Sequence, residues 1–346
     1  MNTKFKYFLF IFLFIGLIPL NLDSCTTFCF KDKNGNIFFG RNFDFPAGHG
    51  FLQVNQRNLQ KTSLSLPQEK PFSWVSKYGS ISFNQNGREF PYGGINEAGL
   101  VIEQMMLNET KYPAIDERAG LEELQWIQYQ LDVSASVDDV IKSDKQVRIT
   151  PNSQAPLHFS VSDVNGNFAT IEYLDSKMVY HTGKDAIHHV LANDTYDQSI
   201  ADKSVNNTKS RFVKAANLIE TYDPAKGNGV DYAFEILNNV AQGEWTRWSI
   251  VYDLKKRTIY YKTGVNKSIR QIKMNDFDFS CSSKRLFADI DEYVKDAKDF
   301  KLYNYESNYK LIDKVWSSVD FLKNIPVETK NAFAKYPDEI NCAKSK

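Results

Sequence analysis

Alternating and β-branched residues near the start of the chain predict a β-hairpin. Residues 26–30 (TTFCF) are β-branched or aromatic, which favours a strand, and Asn34-Gly35 is a frequent hairpin turn. Residues 37–40 (IFFG) predict the returning strand, which runs on toward Arg41 and Asp44. The hairpin should therefore bring these two charges back toward residue 25. Taken from the hairpin alone, they could equally be a surface ion pair at a strand end.

The pattern farther along the chain predicts a mixture of helices and strands. Apolar residues at helical spacing predict the helices, and period-two alternation of apolar and polar residues predicts the strands. The predicted helices cover residues 121–131 and 232–240, a short helix starts at the capping box of Ser136, and strands cover residues 157–180, 249–252 and 258–261.

The end of the chain differs in composition from the rest. From about residue 282 it is richer in Lys and Asp, and it shows weak helical periodicity at Leu286, Ile290, Tyr293 and Val294. No internal repeat or convincing linker separates this part from the rest. We therefore predict a single domain over residues 25–346, of which residues 282–346 are a C-terminal extension.

The first 24 residues are typical of a secretory signal. Lys4 and Lys6 precede an apolar run over residues 7–20, which is too short to span a bilayer as a helix. The alternative interpretation is a short membrane anchor. No later segment is apolar enough to span a membrane. We predict that residues 1–24 are a signal peptide and that the protein is exported to the periplasm or outside the cell.

Cleavage after residue 24 would leave Cys25 at the new N-terminus, where two chemistries use a cysteine. In a bacterial lipoprotein the thiol is alkylated by diacylglycerol, and Leu22 and Ser24 suit that signal, although Asp23 does not. In the other chemistry the thiol is a nucleophile and its own α-amine, with a pKa of about 7.7–8.0, is the general base. The strand that starts directly after Cys25 favours the nucleophile, because a lipoprotein usually continues into a polar tether.

Composition and charge narrow the function further. The chain has 346 residues, and 42 Lys+Arg balance 42 Asp+Glu, so no net field draws it to nucleic acid. The five histidines show no paired metal-ligand spacing, so no metal site is predicted. Four cysteines are too few for a disulfide-built scaffold. Pairing among Cys29, Cys281 and Cys342 stays open, and Cys29 is interpreted as a small buried residue.

Several motifs in the right order resemble the choloylglycine hydrolase family, which includes bile salt hydrolases and penicillin V acylases. The motifs are Cys25-Thr26-Thr27-Phe28, Gly40-Arg41-Asn42-Phe43-Asp44, residues 93–100 (GGINEAGL), residues 190–193 (VLAN), Ser210-Arg211-Phe212 and residues 245–253 (WTRWSIVYD). The resemblance implies an α+β N-terminal-nucleophile hydrolase fold. This is a four-layer αββα sandwich of two antiparallel sheets between helices.

The resemblance also implies a set of catalytic roles. Cys25 would be the nucleophile, Arg41 would lie beside the thiol and Asp44 would hold the α-amine. Asn193 would donate its side-chain amide to the oxyanion, and Arg211 would support the site electrostatically. Asn193-Asp194-Thr195 is also a glycosylation sequon, which is the alternative interpretation of that asparagine.

Two departures from bile salt hydrolases affect the expected substrate. The position that is Asn in those enzymes falls on Met106, whose backbone N–H would then serve the oxyanion. The stretch from Asp194 to Ser210 is also short where bile salt hydrolases carry a long insertion that helps their subunits assemble. A homo-oligomer remains compatible with the sequence, but the tetramer of bile salt hydrolases is not favoured.

We therefore expect a cofactor-independent enzyme that cleaves a small N-acyl amide with a bulky apolar acyl part. A penicillin V acylase-like or broad N-acyl amidase activity is favoured, and a bile salt hydrolase is the alternative. An acyltransferase would carry the same residues. The alternative of another class is a non-catalytic lipoprotein that is acylated at Cys25 and binds a ligand.

Overall fold

The computed structural model describes residues 25–344, except residues 67, 224 and 226. The predicted signal peptide lies outside the described residues. The helices are α1 (Glu123–Val133), α2 (Val137–Ser143), α3 (Tyr196–Ser204), α4 (Arg211–Glu220), α5 (Gly229–Asn239), α6 (Tyr305–Ser318) and α7 (Val327–Lys335).

Most of the remaining ordered structure is β-strand. The strands are β1 (Thr26–Lys31), β2 (Ile37–Asp44), β3 (Phe51–Asn55), β4 (Leu59–Thr62), β5 (Ser73–Val75), β6 (Ser80–Asn84), β7 (Pro91–Asn96), β8 (Val101–Met106), β9 (Ala119–Leu121), β10 (Val147–Ile149), β11 (Leu157–Ser162), β12 (Phe168–Leu174), β13 (Lys177–Thr182), β14 (Val190–Leu191), β15 (Thr246–Asp253), β16 (Thr258–Thr263), β17 (Arg270–Lys273), β18 (Leu286–Asp289), β19 (Lys301–Leu302) and β20 (Asn341–Cys342).

Two antiparallel sheets face one another, and helices cover their outer faces. The first sheet has the strand order β14-β1-β2-β15-β16-β17, and the second has the order β13-β12-β11-β8-β7-β6-β3-β18-β19. Helices α4 and α5 contact the first sheet, and α1 contacts β7 and β8 of the second. The predicted four-layer αββα arrangement is therefore confirmed. The described residues include no helix long and apolar enough to cross a membrane.

The β1–β2 hairpin is confirmed, and it alternates its side chains between the two sides of the first sheet. Thr27 faces the second sheet, where its hydroxyl lies 2.7 Å from that of Ser160. Phe28 faces the opposite way and pairs across the strands with Gly40. A side chain at Gly40 would overlap the Phe28 ring, which explains the glycine that precedes Arg41. The hairpin can therefore place Arg41 against the second sheet.

The central helices and strands were predicted well, but the end of the chain was not. The predicted helix over 121–131 begins two residues later, because Glu122 caps it by accepting the backbone N–H groups of Leu124 and Gln125. The helical interpretation of residues 286–294 is wrong. Residues Leu286–Asp289 form β18, which pairs with β3 through backbone hydrogen bonds that no local periodicity reports.

The cysteines that the sequence left open are now assigned. Cys281 and Cys342 form a disulfide that ties the end of the chain to the segment before β18. Cys29 is buried with a free thiol, and its Sγ lies 3.4 Å from the Ser162 hydroxyl. This agrees with its interpretation as a small buried residue.

Candidate active site

Cys25 lies at one end of the sandwich, where β1 begins and β2 ends. It is 3% exposed, and its thiol donates to the backbone carbonyl of Asp44 at 3.9 Å. The antiparallel register pairs Thr26 with Asn42 and Thr27 with Arg41. The hairpin therefore brings Arg41 and Asp44 to the thiol, as the sequence predicted.

Arg41 is completely buried between the two sheets, so it is not part of a surface ion pair. Its Nη2 lies 4.0 Å from the Cys25 Sγ and 3.0 Å from the carbonyl oxygen of Gln104. Its Nη1 donates to the Tyr92 carbonyl at 3.2 Å and forms an ion pair with Glu103. The guanidinium is thus fixed from the second sheet while it faces the sulfur.

Burial and charge act on the thiol in opposite directions. Burial raises the pKa of Cys25, and the Arg41 guanidinium partly offsets that effect by favouring the thiolate. Burial also raises the pKa of Glu103 to about 7, against the lowering effect of Arg41 and of the Tyr252 hydroxyl, which donates to it at 2.5 Å. Arg41 is therefore the group that most favours the reactive form of the sulfur.

The side chain of Asp44 points away from the second sheet, into a polar environment. The Thr246 hydroxyl donates to its Oδ1 at 2.5 Å, and Nη1 of Arg211 lies 3.9 Å from its Oδ2. Thr246 is oriented in turn, because its hydroxyl accepts the backbone N–H of Gln242 at 2.8 Å. The carboxylate is thereby held beside the start of β1, where the amine of Cys25 would emerge.

Arg211 joins the start of β1 to Asn193. It is the first residue of α4, and its Nη1 donates to the Cys25 carbonyl at 2.5 Å and to the Thr26 hydroxyl at 2.9 Å. Its Nη2 donates to Oδ1 of Asn193 at 2.9 Å. This last bond fixes which end of the Asn193 amide is the donor, so the NH₂ group faces away from Arg211.

The Asn193 amide reaches the end of β8. Its Nδ2 donates to the backbone carbonyl of Met106 at 2.7 Å. An amide nitrogen carries two hydrogens, so this bond uses one of them and leaves a second N–H donor. The structure thus brings Cys25, Arg41, Asn193 and Met106 to one place, together with the Asp44 and Arg211 described above.

Sequence reasoning missed a buried pair behind Asn193. Nε2 of His158 lies 2.7 Å from the carbonyl oxygen of Ala192, and its Nδ1 lies 3.4 Å from Oε1 of Glu172. The same carboxylate oxygen accepts the backbone N–H of Tyr196 at 3.0 Å. Both residues are fully buried and hold the turn that carries Asn193. The sequence offered only an apolar strand around His158, without a sign of this partner.

Glu103, Tyr252 and Thr246 were missed for a similar reason. Glu103 pairs with Arg41, and Thr246 donates to Asp44, each from a strand distant in sequence from its partner. Tyr252 lies one contact farther away, because it donates to Glu103. In the part of the chain that the structure describes, no group of three or more His, Cys, Asp or Glu side chains is arranged to hold a metal ion.

A thiol beside a guanidinium, with an amide N–H donor among the surrounding side chains, is an arrangement suited to acyl transfer. The sulfur can attack a carbonyl carbon while the amide stabilises the developing oxyanion. The fold points the same way. The structure of penicillin V acylase from Agrobacterium tumefaciens superposes with a TM-score of 0.65 at 25% identity, covering 81% of this chain and 100% of that one. The chain has the N-terminal-nucleophile hydrolase fold.

Sequence comparison gives the family. The family model of the linear amide C–N hydrolases, choloylglycine hydrolase family, matches residues 25–203 and 204–287. The chain therefore belongs to this family, and it is a hydrolase of carbon–nitrogen bonds in linear amides.

Two curated relatives resemble the chain over most of its length. Penicillin V acylase from Pectobacterium atrosepticum is 28% identical, over 77% of this chain and 86% of that protein. Conjugated bile acid hydrolase from Lactobacillus acidophilus is 22% identical, over 75% of this chain and 98% of that protein. The predicted family resemblance is confirmed.

Proposed function

We propose that the protein is an exported amidohydrolase that uses the thiolate of an N-terminal Cys25 to cleave N-acyl amides. The observation that carries this proposal is the arrangement around the sulfur. Arg41 lies 4.0 Å from Sγ, and Asn193 presents its amide beside Met106 while Arg211 holds the other end of that amide. Removal of residues 1–24 would free the α-amine next to the Asp44 carboxylate.

The proposed reaction proceeds through a thioester. The Cys25 thiol gives its proton to its own α-amine, and the sulfur attacks the amide carbonyl carbon. The resulting oxyanion accepts hydrogen bonds from the Asn193 amide and the Met106 backbone N–H. The carbon–nitrogen bond then breaks, and the α-ammonium gives its proton to the leaving amine.

Water completes the cycle. The neutral α-amine takes a proton from a water molecule as that water attacks the thioester carbon. The carbon–sulfur bond breaks, the carboxylic acid leaves, and the proton on the amine returns to the sulfur. In this mechanism Asp44 orients the amine, and Arg41 stabilises the thiolate as it forms and as it is released.

The acyl group is proposed to be bulky and apolar, as in phenoxyacetyl or fatty acyl amides. The half-buried side chains of Phe45 and Met106 support this, since Phe45 directly follows Asp44 and Met106 accepts from Asn193. Of the two curated relatives, the penicillin V acylase shares the higher identity with this chain. Hydrolysis of conjugated bile salts is the alternative substrate class.

Export is proposed on two grounds. The basic and apolar pattern of residues 1–24 is that of a secretory signal. The Cys281–Cys342 disulfide supports the same location, because disulfides persist mainly in oxidising compartments outside the cytosol. A lipoprotein acylated at Cys25 would also be exported, but its thiol would be consumed and the Arg41 guanidinium beside it would have no catalytic use.

Two measurements on the exported protein test the proposal. Mass spectrometry of the N-terminal peptide should find a free, unmodified Cys25, and the protein should hydrolyse N-phenoxyacetylglycine. Cys25→Ser should remain folded by circular dichroism and lose activity by several orders of magnitude, because a hydroxyl is far less acidic than a thiol. A diacylglycerol-modified Cys25, or full activity in Cys25→Ser, would refute the mechanism.

A further inference from the structure

The C-terminal extension, residues 282–346, lies almost wholly beyond the family match, which ends at residue 287. Its helices α6 and α7 contact each other and form an apolar cluster with Ala47, three residues after Asp44. The buried members of this cluster are Ala47, Leu311, Ile312, Val315, Trp316, Val319 and Ala334. The extension therefore packs against the loop that leaves the catalytic strand β2.

One hydrogen-bonded connection joins the extension to the centre of the site. Nε1 of buried Trp316 donates to Oδ1 of Asn86 at 2.6 Å, and Nδ2 of Asn86 donates to the Tyr92 hydroxyl at 3.1 Å. The backbone carbonyl of Tyr92 accepts from Arg41, which faces the Cys25 sulfur. Such a buried connection fixes where the extension lies relative to the thiol.

A second connection is aromatic and leads from the site to the surface. The Arg41 guanidinium lies 5.0 Å from the centre of the Phe43 ring, and Phe45 stacks on Phe43 with centroids 5.3 Å apart. Phe321, in the turn between α6 and α7, meets Phe45 edge to face at 6.1 Å. Phe43 is 1% exposed and Phe321 is 44% exposed. The rings therefore extend from the buried guanidinium to solvent.

The two sides of the site differ in polarity, because side chains alternate along β2. Arg41 and Phe43 face the second sheet, and the aromatic rings continue on that side. Asp44 faces the other way, toward Arg211, which lines a polar cavity of about 280 Å³ together with Lys209 and Lys214. The aromatic side matches the proposed apolar acyl group in polarity, and the polar side matches the amine part of the substrate.

We propose that Phe321 of the C-terminal extension is a specificity-determining residue that forms an outer wall of the acyl-binding site with Phe45. This inference rests on the proposed amidase function and names the part of the chain that selects its acyl group. The Phe321 ring is nearly half exposed, and the neighbouring helix that holds it is buried. Contact with a substrate ring would remove more of its apolar surface from water, and this favours binding. The extension thus supplies a substrate contact from outside the family match.

The test compares two substrates that share one amine, N-phenoxyacetylglycine and N-acetylglycine. In Phe321→Ala the ratio of kcat/KM for phenoxyacetyl over acetyl should fall about tenfold, the effect of losing one good apolar contact. Phe321→Leu should restore most of the ratio. Val327→Ala is the matched control, because Val327 is an exposed apolar residue of the same extension and should leave the ratio unchanged. An unchanged ratio in Phe321→Ala would overturn the inference.

A binding measurement separates this inference from the proposed function. Calorimetric titration of N-phenoxyacetylglycine into Cys25→Ala needs no turnover. Adding Phe321→Ala should weaken its Kd about tenfold, for the same apolar contact. If the wild-type protein hydrolyses neither substrate but this weakening occurs, the amidase proposal fails and the role of Phe321 stands. Equal binding in both backgrounds, or none in either, would overturn the inference whatever the activity is.

Discussion

Arg41 lies between the Glu103 carboxylate and the Cys25 thiol and interacts with both. Burial disfavours its charge, but the Glu103 carboxylate offsets that effect, so the pKa of Arg41 lies above its ordinary value. The same guanidinium favours the thiolate of Cys25, against a burial effect that favours the thiol. Glu103 thus keeps Arg41 charged and in place, and Arg41 in turn favours the thiolate of Cys25.

Replacing Arg41 should therefore make the thiol less acidic. In Arg41→Met burial and the Asp44 charge both still raise the pKa of Cys25, and the only lowering effect that remains is the weaker hydrogen bond to the Asp44 backbone. The pH midpoint of Cys25 alkylation by iodoacetamide should move upward, as followed by peptide mass spectrometry. Cys29 does not compete near neutral pH, because burial raises its pKa to about 12. Arg57→Met, which removes a surface partner of Glu97, is the control, and a midpoint unchanged in Arg41→Met would contradict the argument.

Asn193 should affect turnover far more than substrate binding. In the proposed mechanism its amide acts on the oxyanion, which exists only as the carbonyl is attacked, so Asn193→Ala should lower kcat about 100-fold to 1,000-fold. KM should change little by comparison. Steady-state kinetics with N-phenoxyacetylglycine measure both quantities, and Asn238→Ala, which changes an exposed asparagine on α5, should match the wild type. A loss that falls mainly on KM would assign Asn193 to binding instead.

At the scale of elements, the turn from β14 to α3 carries Asn193 and is held from behind. His158 on β11 lies against the carbonyl oxygen of Ala192, before the asparagine, and Glu172 on β12 accepts the N–H of Tyr196, after it. The two strands are neighbours in the second sheet, so a rigid element fixes both ends of the turn. Small displacements of a catalytic group are costly, so in the proposed mechanism this pair has a positioning role.

Glu172→Ala should therefore loosen the turn. We expect a loss of about 1–3 kcal/mol in the free energy of unfolding, because the Tyr196 N–H is left without its acceptor in a buried place. Turnover should also fall about tenfold as Asn193 loses its fixed position. Urea unfolding and kcat measure these effects, and Glu172→Gln should recover most of both because it keeps an acceptor oxygen.

A matched surface pair provides the control for this prediction. Glu220 lies 3.3 Å from His188, with the glutamate about half exposed, so the pairing is similar but open to solvent. Glu220→Ala should change the free energy of unfolding by less than about 1 kcal/mol. If Glu172→Ala and Glu220→Ala lower the free energy of unfolding equally, the buried position of Glu172 does not make its contribution to stability larger than that of a surface pair.

Local sequence patterns predicted the elements but not the contacts between them. The hairpin turn at Asn34-Gly35 and the capping box of Ser136 act over a few residues, so the sequence reports them directly, and both are found. The pairing of β18 with β3 is different, because Leu286 meets Val54 across more than 200 residues. The periodicity of residues 286–294 carries no information about that distant partner strand, and the helix predicted there was wrong.

At the scale of the molecule, the site contains two kinds of residue. Some lie in sequence motifs that identify them, and others hold those residues in place without belonging to a recognisable motif. Resemblance reached Cys25, Arg41 and Asn193 because each lies in a recognisable stretch of sequence. Glu103 lies in none of the motifs that carry the family resemblance, and its ion pair with Arg41 forms only when the two sheets face each other. The aromatic contact between Phe45 and Phe321 likewise depends on where the extension packs. Such inter-layer contacts follow from the tertiary fold rather than from local propensity.

The Cys281–Cys342 disulfide should stabilise this assembly through the unfolded chain. The bridge closes a loop between residues 61 positions apart that contains nearly all of the extension. The loop-entropy relation gives about 4 kcal/mol for a loop of that size, which Cys342→Ser should remove from the free energy of unfolding. Urea unfolding with and without dithiothreitol measures this loss.

The variant and the reductant provide a check on each other. Dithiothreitol should lower the stability of the wild type to that of Cys342→Ser and should leave the variant unchanged. Cys29→Ala is the control for loss of a thiol, since Cys29 is buried and unbridged, and its response to reductant should match that of the wild type.

Because the extension packs against Ala47 and Phe45 near the thiol, we also expect Cys342→Ser to lose acyl selectivity at a lower urea concentration than the wild type. If Cys342→Ser and the wild type instead unfold at the same urea concentration and lose selectivity at the same urea concentration, helices α6 and α7 hold the extension in place without the bridge.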